Sequence, residues 1–172
     1  MQNFKRAKKS LGQNFLIDKN IINKIIEIGK LNKSKIVLEI GAGSGNLTDA
    51  IISKEPKKIF AVEKDKKLSL FLKEKFKNRK NLKIINRDIL DIIEADNLEH
   101  NMVVFGNLPY NVSTKILASL IMLKNWPPWY DILILMFQKE VAEKILGKSY
   151  GRLSIIANYR LKSLNKFNVT AN

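Results

Sequence analysis

No cysteine occurs among the 172 residues, which removes disulfides, thiolate metal sites and cysteine nucleophiles from the possible chemistry. Histidine is nearly absent. The one imidazole, His100, sits in the polar stretch Asn97 to Asn101 and reads as a solvated loop residue, not as a ligand or general base. There is no run of about 18 apolar residues, so no membrane-spanning helix is expected. The basic N-terminus, Met1 to Arg6, leads into no apolar stretch of the kind that directs secretion. The expectations are therefore a cytoplasmic protein without membrane association and without a metal site. Internal repeats and low-complexity linkers are also missing. The length is that of one domain, and residues 1–172 are expected to form one.

Positive charge is what the chain has in excess. Thirty-one Lys and Arg stand against 16 Asp and Glu, for a formal net charge of +15 and a pI near 9.9. Such a field favours polyanions, because each neutralised phosphate releases counterions. Lys outnumbers Arg by 26 to 5, which fits non-specific phosphate contact and equally a compositional drift toward Lys. Charge points to nucleic acid without identifying it.

Strand and helix signals alternate along the chain. Lys19 to Gly29 carries Ile at 21, 22, 25, 26 and 28, a helical stripe behind Asp18 as N-cap. Lys35 to Ile40 is a β-branched run ending at a glycine turn, Asn46 to Lys54 reads as helix, and Lys58 to Glu63 as a second strand. Asp65 caps a helix to Phe76. Leu82 to Asn86, Met102 to Gly106 and Asp131 to Phe137 are further strands. Ser113 to Leu123, Lys139 to Leu146 and Arg152 to Tyr159 are helical, and Leu161 to Val169 reads as a final strand. Trp126-Pro127-Pro128-Trp129 is a loop. Strands apolar on both faces and separated by helices predict a mostly parallel sheet covered on both sides. With right-handed crossovers this is a doubly wound α/β domain.

Gly41-Ala42-Gly43-Ser44-Gly45 follows the first strand and opens a helix. The G-x-G-x-G spacing is neither the dinucleotide form G-x-G-x-x-G nor a Walker loop, and by itself it is also what a plain loop would use. Two carboxylates strengthen it. Glu63 ends the second strand about 20 residues later, where it can accept the ribose hydroxyls; otherwise it is a solvated strand end. Asp88 follows the third strand, where it can accept from an adenine amino group or else cap a helix. Three such features at successive strand ends favour an adenosine-containing ligand. NAD and S-adenosylmethionine both meet that description.

Asn107-Leu108-Pro109-Tyr110 follows the fourth strand. Adenine N6 is a poor nucleophile because its lone pair is delocalised into the ring. The side-chain oxygen of Asn107 and the carbonyl of Leu108 can accept its two hydrogens and draw the nitrogen toward a tetrahedral geometry. Such acceptors hold more tightly as charge develops on the nitrogen. Pro109 fixes the backbone and Tyr110 offers a stacking face for an extruded base. No strong base is required, since the methylated amine loses its proton to water. A β-turn with Pro in a turn position is the bland alternative.

At this point the chain resembles the N6-adenine and amino methyltransferases, whose signature takes the form Asn/Asp-Pro-Pro-Tyr or Asn-Leu-Pro-Tyr. Further stretches narrow the likeness: Leu11-Gly12-Gln13-Asn14-Phe15-Leu16, Asn107 through Thr114, Gln138-Lys139-Glu140-Val141-Ala142 and Tyr150-Gly151-Arg152-Leu153-Ser154. Together these look like the small-subunit ribosomal RNA adenine dimethyltransferases, the kasugamycin-sensitivity family, over essentially the whole chain. The resemblance implies a Rossmann-like methyltransferase fold and transfer of four methyl groups from S-adenosylmethionine to two adjacent adenosines near the 3′ end of small-subunit (16S) rRNA. It implies a cofactor held against Gln13, Asn14, Leu16, Gly41, Glu63, Asp88 and Asn107. The target adenine lies against Asn107, Leu108 and Tyr110, with Pro109 completing the catalytic segment. The implied partner is the immature 30S subunit, and a monomer is expected. Family members continue with a Pro-Pro-x-x-Phe-x-Pro segment, another strand and a helical domain. This sequence ends at Asn172, before all three, and reads as a catalytic-domain fragment.

Three other readings compete. The erythromycin-resistance methylases of large-subunit rRNA share the Gln-Asn-Phe-Leu and Asn-x-Pro-Tyr segments, but Leu11-Gly12 and Tyr150 to Ser154 look more like the small-subunit group. A nicotinamide-dependent oxidoreductase is disfavoured by the glycine spacing and by the lack of an acid at a hydride site. A non-catalytic rRNA-binding assembly factor is argued against by the intact Asn-Leu-Pro-Tyr. For RNA contact the candidates are Lys5, Arg6, Lys8 and Lys9, with Lys115 and Arg152 nearer the site; each is otherwise a solvated charge.

Overall fold

A computed structural model of the chain describes residues 16–95, 97–109, 111–147 and 151–169. Five strands, β1 (Ile36–Ile40), β2 (Lys58–Val62), β3 (Leu82–Ile85), β4 (Met102–Asn107) and β5 (Tyr130–Met136), form one sheet in the order β3-β2-β1-β4-β5. Every neighbouring pair is parallel. Seven helices accompany them among the described residues: α1 (Lys19–Ile28), α2 (Asn46–Ile52), α3 (Lys66–Lys75), α4 (Ile89–Ala95), α5 (Ser113–Ile121), α6 (Lys139–Leu146) and α7 (Arg152–Arg160). The order reverses between β1 and β4. Their carboxyl ends therefore diverge into the crevice where ligands of such sheets bind.

Side-chain alternation divides the core in two. Val37, Ile59, Ala61, Val103 and Phe105 meet α1, α2 and α3 on one face. Leu38, Ile40, Phe60, Val62 and Val104 meet α4 and α5 on the other. A third cluster joins Leu117 and Ile121 of α5 to Ile145 and Ala157 of α6 and α7. Asp18 and Asp65 cap as their positions predict. Asp18 accepts from the backbone N–H of Asn20 and Ile21, and Asp65 from those of Lys67 and Leu68. Gly45 opens α2 at φ 80°. A Cβ there would lie 2.8 Å from Leu72 and 2.9 Å from Phe76, so glycine serves both the left-handed turn and the close packing of α3 against the loop.

The structure departs from the sequence reading in two elements. Residues 161–169 form no strand. Their two apolar anchors face different neighbours: Leu161 packs with the α5–α7 cluster, whereas Phe167 lies under the Lys24 ammonium of α1 at 4.4 Å. Lys162, Ser163, Leu164, Asn165 and Lys166 between them are exposed, so no buried face holds the segment in a ladder. The second departure is α4, absent from the reading above. It has only seven residues, buries Ile89, Ile92 and Ile93, and starts where Asp88 accepts from the N–H of Leu90 at 3.0 Å. Elsewhere the boundaries agree to within one or two residues. No helix among the described residues is long and apolar enough to cross a membrane.

Candidate active site

The glycine loop is held to the sheet by its backbone. Gly41 N–H donates to the Val62 carbonyl at 2.8 Å, and Gly45 N–H closes the turn onto Ala42 at 2.8 Å. Gly41, Gly43 and Gly45 all take positive φ (75°, 56° and 80°), a conformation costly to other residues. At Gly41 a Cβ would meet the Asn107 carbonyl oxygen at 3.2 Å. The bare backbone thus lets the end of β4 stand directly beside the loop.

Two cavities flank this contact. The larger, about 760 Å³, is lined by Gly41, Gly43, Glu63, Lys64, Arg87, Asp88, Asn107, Pro109 and several apolar side chains. The smaller, about 270 Å³, lies on the other side of the loop against Leu16, Glu39, Ser44, Asn46 and Asn107. Asn107 borders both, as do Gly41 and Gly43. Asn46 donates its side-chain amide to the Leu16 carbonyl at 2.9 Å, tying the segment before α1 to the start of α2.

Glu63 is no solvated strand end. It is 5% exposed, and its two oxygens accept from Gly43 N–H at 2.9 Å and Asp65 N–H at 2.8 Å. Burial pushes its carboxyl above the usual range while these backbone donors pull it down. The carboxylate therefore braces the glycine loop, and each oxygen retains a lone pair for a ligand. Asp88 does the capping that its position allowed and more. One oxygen accepts from Leu90 N–H and the other from the Lys64 ammonium at 2.7 Å. The Lys64 hydrogen bond, above all, holds its carboxyl below the usual range. Asn86 fixes the neighbouring strand end by donating to the carbonyls of Glu63 and Lys64.

The structure thus places Glu63, Asp88 and Pro109 at the larger cavity and Leu16 at the smaller, with Gly41 and Asn107 shared between them. Leu108 differs: its side chain is 2% exposed and packs in the α4–α5 core cluster, leaving only its backbone to act. Gln13, Asn14 and Tyr110 lie outside the described residues, as do Lys5, Arg6, Lys8 and Lys9.

Sequence reasoning missed Glu39. It sits in β1 at 1% exposure, accepts from the Thr48 hydroxyl at 2.6 Å and lines the smaller cavity. Its signal was a carboxylate inside an otherwise apolar strand, two residues before the glycine turn. Desolvation raises its pKa to about 8, against the Thr48 hydrogen bond, which lowers it, with Glu63 adding a further raising influence. In the unfolded chain the group returns to its ordinary value near 4.5. The folded state therefore binds the proton more tightly, and the associated stability is full below about pH 4.5 and lost as pH rises toward 8. Glu39→Gln cannot ionise and should escape that loss. Urea midpoints at pH 5 and pH 9 should show the variant gaining roughly 2–5 kcal/mol on the parent at the higher pH. Equal pH dependence in the two proteins would contradict the buried-proton account.

Residues 4–164 match the family model described as ribosomal RNA adenine dimethylase. A ribosomal RNA small subunit methyltransferase A from Pelagibacter ubique is 51% identical over 162 residues, covering 92% of this chain and 61% of its own length. That from Ruegeria sp. is 43% identical and covers 91% and 58%. The chain thus spans about three fifths of the curated relatives it matches. Among solved structures, a dimethyladenosine transferase from Plasmodium falciparum superposes with a TM-score of 0.71 at 30% identity, over 84% of this chain and 52% of that one. The 23S rRNA methyltransferase ErmE gives 0.70 at 26% identity, over 84% and 57%. With the matched model spanning nearly its whole length, the chain belongs to the ribosomal RNA adenine dimethylase family.

Proposed function

We propose that this chain is the catalytic region of an enzyme that dimethylates the N6 amines of two adjacent adenosines near the 3′ end of small-subunit rRNA, using S-adenosylmethionine. The observation that carries the reading is the position of Asn107, at the end of β4, bordering both cavities beside the glycine loop.

The residues fit an adenosyl cofactor. The larger cavity offers Glu63 to two ribose hydroxyls and Asp88 to an adenine amine, and Pro109, Val112 and Ile116 give it apolar walls. The smaller cavity offers Glu39 to an ammonium group, whose charge would draw the buried carboxyl to its ionised form. Leu16 borders that end, and the family likeness assigns Gln13 and Asn14 to the cofactor as well. When bound, S-adenosylmethionine supplies an electrophilic methyl on a sulfonium.

The chain's own work is at the amine. The Asn107 amide oxygen and the Leu108 carbonyl accept the two N6 hydrogens and localise the lone pair for attack. Their hold strengthens as the nitrogen becomes positive. Burial of the Leu108 side chain and the ring of Pro109 fix the backbone that presents the carbonyl. Tyr110 stacks on the extruded base. The partner in this reading is the immature small subunit, and the protein acts as a monomer.

Methyl incorporation separates the possible substrates. Labelled methyl groups should enter immature small subunits at two neighbouring adenosines as N6,N6-dimethyladenosine, and not naked large-subunit rRNA. Labelling of large-subunit rRNA alone would favour the alternative specificity, and no incorporation into either would leave only an assembly role.

A further inference from the structure

We infer that the outer face of α3, with the turn that follows it, is the surface on which this protein takes the backbone of its RNA, and that the opposite, α4 side of the sheet stays free of it. The inference rests on the RNA substrate proposed above and adds where that RNA lies.

The lysines are not spread evenly. Residues 64–80 hold eight Lys and Arg against Asp65 and Glu74, whereas residues 88–101 hold five acids and no Lys or Arg at all. A uniform drift toward lysine would have populated both stretches. The fold turns this contrast into a contrast of faces, because α3 packs in the cluster shared with α1 and α2 and α4 in the one on the other side of the sheet.

On α3 the apolar side is spent on Leu68 and Leu72, and Ser69 is buried with them. Lys66, Lys67, Lys73, Lys77, Arg79 and Lys80 are all exposed. Lys64, Lys75 and Lys77 pair with Asp88, Asp49 and Glu74. The side chains of Lys66, Lys67, Lys73, Arg79 and Lys80 have neither an ion pair nor a hydrogen bond among the described residues. Of the two acids in this stretch, Asp65 caps the helix and Glu74 pairs with Lys77. Lys66 and Lys73 lie two turns apart, about 10 Å along the axis, and Arg79 and Lys80 extend the row past the helix end.

The row begins at the cleft. Lys66 and Lys67 follow Glu63 and Lys64 directly, at the same end of the sheet as the glycine loop and Asn107. A phosphate backbone lying along α3 therefore leads to the mouth of the site, and the acids at Asp91 and Glu94 repel it from the far side. An anionic membrane is the weaker fit. Leu70 is the one large apolar side chain exposed on α3, and a helix lying in a bilayer interface needs an apolar face.

The test uses the fluorescence anisotropy of a labelled hairpin copied from the 3′ end of small-subunit rRNA, titrated at several salt concentrations. The Lys66→Glu/Lys73→Glu double variant is compared with Lys124→Glu/Lys162→Glu, which changes net charge equally at exposed positions away from α3. The first pair should weaken binding about tenfold or more at 0.1 M salt. It should also reduce the log–log salt slope by roughly 1.5, since each lost phosphate contact removes about 0.7–0.9. The second pair should change affinity less than threefold. S-adenosylmethionine affinity, read by calorimetry, should be unaltered in both and reports that they fold; Lys66→Gln/Lys73→Gln serves where the glutamates do not. Equal weakening by the two pairs, or no weakening by the first, overturns the α3 surface while leaving the enzyme reading intact. Tighter binding to phosphatidylserine vesicles than to the hairpin also overturns it. Failure of the parent chain to bind RNA at all overturns the RNA reading itself.

Discussion

Replacing Asn107 by Ala should lower methyl transfer by on the order of 10²–10³-fold while changing S-adenosylmethionine affinity by less than about tenfold. The split follows from what the residue touches. Asn107 borders both cavities, so in the proposed complex a bound cofactor would meet it at only one point, with Glu63, Asp88 and the glycine loop supplying the rest. The amine of the target base, in contrast, would in the proposed reaction depend on Asn107 for one of two acceptors. An acceptor that tightens as positive charge develops lowers the barrier more than it stabilises the ground state. Asn107→Asp keeps an oxygen and should retain much more activity than Ala. Turnover in the Ala variant within a few-fold of the parent would remove Asn107 from the chemistry. Loss of cofactor binding in proportion to turnover would make it a binding residue only. Single-turnover rates at saturating cofactor, set beside calorimetric Kd values, separate the two.

How far the sequence anticipates this site depends on whether a feature is local. The caps at Asp18 and Asp65 were legible because each depends on the two or three residues that follow. The parallel sheet was legible because strands buried on both faces read as continuous apolar runs. Helix α4 was not, since seven residues with three buried isoleucines look much like part of a strand connection. Residues 161–169 read as a final strand, and only the tertiary context shows that Leu161 and Phe167 anchor in different places.

The site shows the same division. Glu63 was found by its distance from the glycine loop, but its burial and its hold on Gly43 N–H depend on β2 lying beside β1. The Lys64–Asp88 pair joins residues 24 apart across the ends of β2 and β3. Nothing in either segment announces it. Glu39 went unnoticed because a short strand with a single carboxylate is compatible with an exposed edge, and its meaning appears only when Thr48 of α2 closes over it. Leu108 shows that adjacent residues of one motif can serve differently. Its side chain fills the core cluster under α5, which leaves its carbonyl for the proposed contact with the amine.

The second large effect is expected at Glu63. Its carboxylate already takes two backbone N–H groups, which fixes both oxygens before any ligand arrives. The two ribose hydroxyls of the proposed cofactor would then donate to an acceptor that need not be reorganised. Hydrogen bonds to a charged group contribute about 1.5–3 kcal/mol each, so Glu63→Ala should weaken S-adenosylmethionine binding by roughly 10²-fold or more. Part of the loss comes through the loop, because Gly43 N–H loses its partner at the point where the backbone must approach the ligand. Glu63→Gln keeps one acceptor and should fall between.

The claim on which the rest depends is that the cleft between the glycine loop and Asn107 is an adenosyl-methionine site. It is tested most directly by calorimetric titration of the parent chain and of Glu63→Ala with S-adenosylmethionine and, separately, with NADH. Saturable 1:1 binding of S-adenosylmethionine by the parent, its near loss in the variant, and no response to NADH are the expected results. Binding of NADH in its place, or S-adenosylmethionine binding that Glu63→Ala leaves unchanged, would contradict the account.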